Sequence, residues 1–268
     1  GHVEKVTKKR RLILVFIVLF LPSQSFAEGD AARKSDTITL YLENDLFGFD
    51  NHDRYYTHGT KISWASRDLT EYRDIVRGPA WMLRLMERLP FVNNAGDVRT
   101  VSLSLGQNMY TPEDKERSDL IPDDRPYAGI SYLGFGLHSR SRSRMDTVEL
   151  DLGIVGRHSY AEDCQKEVHK WTDSPEPKGW SNQLHDEPVL NVYYERRWRT
   201  LQAGGLGGLG FDFIPHAGVA AGNIYTGANM GGQVRFGWNV PSDFGTYLIR
   251  PGSGGNAPVD ETDQIGRA

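Results

Sequence analysis

The 268-residue chain has a single cysteine, Cys164, so no internal disulfide framework holds it together, and that cysteine is given no role. Long apolar runs are missing too. The longest, Leu12 to Leu21, has ten residues, well short of the roughly twenty that a membrane-crossing helix needs. Net positive charge is absent beyond residue 27, where acids outnumber bases. The first 27 residues hold five basic side chains (Lys5, Lys8, Lys9, Arg10 and Arg11) against one acid, Glu4, and without them the formal net charge moves from −4 to −8. Such a balance excludes the basic footprint of a nucleic-acid-binding protein. The run Ser139-Arg140-Ser141-Arg142-Ser143-Arg144 looks like a nucleic-acid patch in isolation, but between two alternating segments it reads as a solvated turn.

What is present points to export and to β structure. The basic cluster, the short apolar run and the small-x-small step Ser25-Phe26-Ala27 have the layout of a secretory signal peptide over residues 1–27. The mature chain is then expected to start near Glu28. The sequence carries 29 glycines and 11% aromatic residues, a composition suited to an outer-membrane barrel. Alternation of apolar and polar residues predicts eight strands, at about 36–45, 57–67, 99–108, 127–138, 146–156, 188–199, 209–222 and 229–239. In the first two, Ile38, Leu40, Leu42, Ile62 and Trp64 share one face, and Thr39, Tyr41, Glu43, Lys61 and Ser63 the other. A barrel with apolar residues outward fits this pattern. A water-soluble sandwich with the faces reversed would give the same alternation.

Two helices interrupt the strands. Residues 75–89 form an amphipathic segment that could lie on the inner face of the membrane, plug the periplasmic end or pack on a turn. Residues 160–170 form a second, stopped by Pro175, Pro177 and Gly179. Alternation ceases after Pro241. The expected organisation is a signal peptide (1–27), an antiparallel all-β transmembrane β-barrel (28–240) with a helix in an extracellular loop, and a loop or tail (241–268). With the N-terminus in the periplasm, loops 46–56, 109–126, 157–187 and 223–228 share the outward rim.

The polar residues of interest fall in or beside that set. Gln165 and His169 lie four apart, on one face of the second helix. A histidine so placed suits a general base, because imidazole exchanges a proton near working pH. Asn44, Asp45 and Thr57 bring amide, carboxylate and hydroxyl oxygens to the same rim. Such a hard set suits calcium better than zinc, and it is equally ordinary strand-end chemistry. His58 and His158 are further histidines near the rim.

Asn44-Asp45, Tyr56-Thr57-x-Gly59, Gln107-x-x-Tyr110-x-Pro112, Asp124-Arg125-Pro126-Tyr127-Ala128-Gly129, Gly156 with Gln165-x-x-x-His169, and Gly179-Trp180-x-x-Gln183-Leu184 follow one another in a single order. In this the chain resembles the outer-membrane lipid A 3′-O-deacylase family, from about residue 36 to about 240. The resemblance implies a twelve-stranded barrel whose active site lies between the wall and a helix of an extracellular loop. It implies removal of the 3′-linked acyl chain of lipid A and dependence on calcium. It places Asn44, Asp45 and Thr57 on the wall and Gln165 and His169 on the helix, with His169 activating a water and Asp45 the best carboxylate for calcium. Lipid A, as part of lipopolysaccharide, and the outer-membrane bilayer are the implied partners. Two departures stand out. The family pattern has a glutamate six positions after the histidine, whereas here Pro175 occupies that place, with Glu176 next and Asp173 before it. The four further strands the resemblance implies are also not visible after 240. Because unpaired edges are costly in lipid, the chain is expected to be a piece of a longer barrel, or alternatively a complete eight-stranded one with a tail. A non-enzymatic channel or scaffold and an outer-membrane phospholipase are the alternative functions.

Overall fold

A computed structural model describes residues 35–44, 57–204 and 208–245 of the chain. They form one all-antiparallel sheet of nine strands: β1 (Thr37–Asn44), β2 (His58–Ala65), β3 (Val98–Tyr110), β4 (Ala128–Arg140), β5 (Arg144–Val155), β6 (Glu187–Trp198), β7 (Leu201–Gly204), β8 (Leu209–Gly222) and β9 (Gly227–Trp238). Each of the eight long strands lies within a few residues of its predicted span. The short β7, which pairs with β8 over Leu201 to Gly204, is an addition that four residues of alternation could not announce. The helices are α1 (Ala80–Arg88) and α2 (Ala161–Thr172). No helix among the described residues is long and apolar enough to cross a membrane.

The sheet resolves the ambiguity that alternation leaves. One face is polar and buried: Lys61, Ser63, Ser102, Ser104, Glu149 and Asn191 are all at most 7% exposed. The other carries Leu40, Leu103, Leu105, Leu133, Val219 and Phe236, each more than half exposed. In water that arrangement would forfeit about 1.5–3 kcal/mol for every such side chain left uncovered, so the apolar face is the lipid-facing one. Lys61 on β2 and Glu149 on β5 approach to 3.8 Å across two intervening strands. The sheet is therefore curled around its polar side as a barrel wall. Glycines make room for that filling. A Cβ on Gly134 would come within 2.8 Å of Glu149 Oε1 and within 2.4 Å of Ser104 Oγ.

Two rims result. At one, Ser141 to Ser143 turn between β4 and β5, while Ser139, which is buried, and Arg140 end β4 and Arg144 begins β5, so the solvated turn is shorter than the Ser-Arg run; Arg144 and Arg140 pair with Asp97 and Asp68 at 2.9 and 2.6 Å. At the other, the chain leaves β5 through Gly156 and builds α2 before returning in β6.

Candidate active site

Gly156 opens the loop with φ +98°, and a Cβ there would meet the His185 carbonyl carbon at 2.7 Å and the Asp186 nitrogen at 2.8 Å. Only glycine combines that backbone with that space. A single 3-10 turn follows at Arg157–Ser159, and its last carbonyl is fixed to the wall. Gln107 Nε2 and Ser131 Oγ each donate to Ser159 O at 2.7 Å. Gln107 and Ser131 belong to the same face of β3 and β4 as the exposed Leu105 and Leu133. The helix that follows is thus laid against the outer, lipid-facing side of the wall.

Its contact with the wall is close. A Cβ on Gly129 would fall 2.3 Å from both Ala161 Cβ and Ser159 Oγ. Gly129→Val is therefore expected to push α2 off the wall, leaving the barrel folded, as judged by heat-dependent gel mobility, while lowering any activity of this site by about 10²-fold, the cost of a ~1 Å misplacement.

Behind α2 lies a small core of Met109, Tyr127, Ala161 and Trp180. The Tyr127 and Trp180 rings sit 4.8 Å apart. Burial pushes the Tyr127 hydroxyl up to about 12, so it stays protonated and donates to Lys115 O at 3.0 Å. The buried Gln165 faces the same core, and Trp180 Nε1 donates to its Oε1 at 2.8 Å. That bond fixes which end of the amide is which. Gln165 Nε2 is left buried without a hydrogen-bond partner among the described residues.

One turn further along the same face, His169 Nδ1 lies 2.6 Å from Pro175 O. A carbonyl only accepts, so Nδ1 carries the proton and Nε2 is the basic nitrogen. Asp173, in the left-handed region at φ +51°, ends the helix and turns the chain so that Pro175 meets the ring. The position at which the resemblance implies a carboxylate thus supplies a main-chain carbonyl to the same imidazole. His58 and His158 are engaged elsewhere. His58 Nε2 bonds Thr60 Oγ1 at 2.7 Å, and His158 Nδ1 lies 2.5 Å from Asp186 Oδ2.

The His158–Asp186 pair clasps the start of the loop to its end. Hydrogen bonds from the His158 main chain and ring hold the Asp186 carboxyl below its usual range. A lowered acid stabilises above the ordinary carboxylate pKa and loses that contribution as pH falls through the lowered one. Protection of the His158 amide, measured as its exchange rate relative to that of a free amide at the same pH, is expected to be high at neutral pH and to be lost as pH falls through the lowered carboxyl range. Asp186→Asn should abolish that dependence.

On the wall, Thr57 is buried. Its nitrogen donates to Met109 O at 3.0 Å and its Oγ1 lies 2.7 Å from Thr111 Oγ1. Met109 belongs to the core beneath α2, so the Thr57 main chain is tied to the end of β3 on which that core sits. Asn44 ends β1 opposite His58 in the register. Asp45 lies outside the described residues, so its position relative to α2 is not part of this geometry. Among the described residues no three His, Cys, Asp or Glu side chains are grouped as a metal site. The candidate donors described at this rim, led by Thr57 Oγ1, are neutral oxygens. Neutral oxygens suit a hard cation such as calcium only where a carboxylate joins them.

Trp180, Gly129 and the Pro175 carbonyl are parts of the site that no spacing argument assigns. Trp180 and Gly129 do stand inside the signatures Gly179-Trp180-x-x-Gln183 and Asp124 to Gly129, the one signal that marks them.

The family model described as Outer membrane protein LpxR matches residues 12–266. The chain belongs to this outer-membrane protein family. No curated protein matches the chain. Among solved structures, LpxR from Salmonella typhimurium superposes with a TM-score of 0.57 at 16% identity, over 75% of this chain and 62% of that one. At that identity the likeness shows the fold, an outer-membrane barrel. The family membership places the protein in the outer membrane.

Proposed function

We propose that the protein hydrolyses the 3′-linked acyl ester of lipid A at the outward rim of the outer membrane, with calcium. One observation carries the reading: α2, laid on the lipid-facing side of the wall, holds the basic Nε2 of His169 at the edge of the small core in which the unpartnered Nε2 of Gln165 is buried. A site there opens sideways into the bilayer, where an acyl ester lies. The outward surface of α2 is mixed: Val168 and Trp171 are exposed, with Tyr160 just before the helix, beside the ion pairs Lys166–Glu162 and Lys170–Glu167.

In this mechanism His169 Nε2 takes a proton from a water as its oxygen adds to the ester carbonyl. The Pro175 carbonyl keeps the ring oriented and steadies the imidazolium. Gln165 Nε2 donates a hydrogen bond to the carbonyl oxygen as negative charge develops on it. His169 then returns the proton to the departing 3′ oxygen, leaving a carboxylic acid and a free 3′ hydroxyl. Asp45, with oxygens from Asn44 and Thr57, would hold the calcium ion, which would supply positive charge for the developing oxyanion.

The test is mass spectrometry of lipid A and of phospholipid after incubation with the purified full chain, with and without a chelator. Loss of the 3′ acyl mass from lipid A, stopped by the chelator, is expected. Release of fatty acid from phospholipid alone would favour a phospholipase, and no release from either a non-enzymatic barrel.

A further inference from the structure

The connection between β2 and β3 is a second structure laid on the outside of the wall, at the rim opposite α2. Its core joins Leu69, Tyr72, Met86 and Val92 to Val101 and Leu137 of the barrel. Val101 and Leu137 share the outer face with Leu103 and Leu133. Tyr72 locks the cover down, its hydroxyl donating to Val92 O at 2.8 Å and His138 O at 3.1 Å. Phe91 stacks on Tyr194 of β6 at 4.6 Å, with the Arg196 guanidinium 5.7 Å from its ring. Asn93 Nδ2 donates to the last carbonyls of α1, Met86 O at 2.7 Å and Leu89 O at 3.0 Å. The helix therefore packs on the Tyr72–Asp74 turn of its own connection, beside the lipid-facing band and outside the lumen.

Its far face has no cover among the described residues. Trp81 is 68% and Leu85 56% exposed, and Arg84 and Arg88 lie at the same helical spacing. The charge around that face is one-sided. The carboxylates of this connection are already engaged: Asp68 with Arg140, Asp97 with Arg144, Glu71 and Glu87 with Arg73, and Asp74 with the Thr70 and Glu71 nitrogens. Arg77, Arg84 and Arg88 form no ion pair with a carboxylate among the described residues. The same rim also carries Trp64, Trp198 and Trp238 at or next to the ends of β2, β6 and β9. Tryptophan at strand ends is the girdle of a barrel at the headgroup level, and Trp81 extends it onto the helix.

We infer that α1 is an interfacial helix that seats Trp81 and Leu85 in the phospholipid leaflet opposite α2 and presents Arg84 and Arg88, with Arg77 just before the helix, to anionic phosphate headgroups. A face that is apolar and cationic at once, continuous with the lipid-facing wall, matches such a surface on both counts. This anchor is independent of the hydrolytic reading, since it concerns the other rim and needs only the barrel.

The experiment places a nitroxide at Trp81→Cys in the full chain, on a Cys164→Ser background, reconstituted in phosphatidylethanolamine vesicles with or without phosphatidylglycerol. Collision with oxygen and with a water-soluble nickel chelate reports depth, and Glu116→Cys on the α2 rim serves as the water-exposed reference. With phosphatidylglycerol present, position 81 is expected to be oxygen-accessible and at least fivefold less nickel-accessible than position 116. Charge reversal at Arg84→Glu and Arg88→Glu, or omission of phosphatidylglycerol, should bring the two positions within about twofold. Nickel access at position 81 equal to the reference in the unreversed protein would overturn the anchor. Shielding that ignores both charge reversal and lipid charge would overturn the headgroup assignment. Shielding that rises with protein concentration would replace the lipid by a second copy of the chain. Heat-dependent gel mobility confirms that each variant is a folded barrel, and hydrolysis is not read at all, so the result stands apart from the fate of the active-site proposal.

Discussion

Replacing His169 with alanine is expected to lower the rate of lipid A hydrolysis by about 10²–10⁴-fold, the usual worth of a positioned general base. The loss should fall on kcat, because in the proposed mechanism the ring acts on the attacking water and not on the acyl chains. The expectation rests on the Pro175 carbonyl, which fixes the proton on Nδ1 and leaves Nε2 basic. His58 and His158, committed to Thr60 and Asp186, make a useful contrast. Alanine at either should leave the rate within a few-fold of the parent. If the His169→Ala protein kept its full rate while either of the others lost it, the base would have to be reassigned.

Trp180→Ala should be the most damaging change to the α2 rim itself. The side chain is 1% exposed, packs on Tyr127 and holds Gln165. Removing a buried aromatic costs about 3–5 kcal/mol, and here the cost falls on the loop and not on the wall. Amide exchange in α2 is expected to accelerate by about 10²–10³-fold, with β4 and β5 unchanged. Activity should fall with it as Gln165 and His169 lose their placement. Trp180→Phe separates packing from hydrogen bonding. It keeps most of the apolar contact and forfeits the bond to Gln165 Oε1, worth about 1 kcal/mol. The helix should then stay protected while the Gln165 amide is free to turn, so any activity lost in this variant reports orientation of that amide. Equal acceleration of exchange throughout the sheet in Trp180→Ala would show that the loop and the barrel are one cooperative unit.

Much of this architecture is legible in the residues. Period-two alternation marks the eight long strands because each strand has two unlike environments, and Gly156 and the prolines after His169 punctuate the loop that holds α2. The Gln165 and His169 spacing places both on one face, which is where they lie, one buried and the other a turn beyond. Asn44 and Asp45 belong to the same rim by sequence position, and the described structure reaches only the backbone of the former. Trp180 and Gly129 escape any local argument. Their significance lies in contacts made across 15 and 32 positions of sequence, with Gln165 and Ala161, and periodicity carries no information at that range. The Pro175 carbonyl escapes for another reason: a main-chain acceptor has no side-chain signature, so a proline there conceals the function in the sequence.

The sequence by itself determined that this is an antiparallel all-β chain with strands of these lengths, and that two helices interrupt them. It did so because alternation and helical spacing are local properties. Which face of the sheet meets lipid was decided by the tertiary structure alone, since an alternating strand is the same string of residues whichever side is turned outward. Only curling the sheet, with Lys61 reaching Glu149 inside and the leucines left outside, breaks that symmetry. The same event set both helices against the outer wall, one at each rim, and so gave the candidate site and the proposed anchor their access to the bilayer.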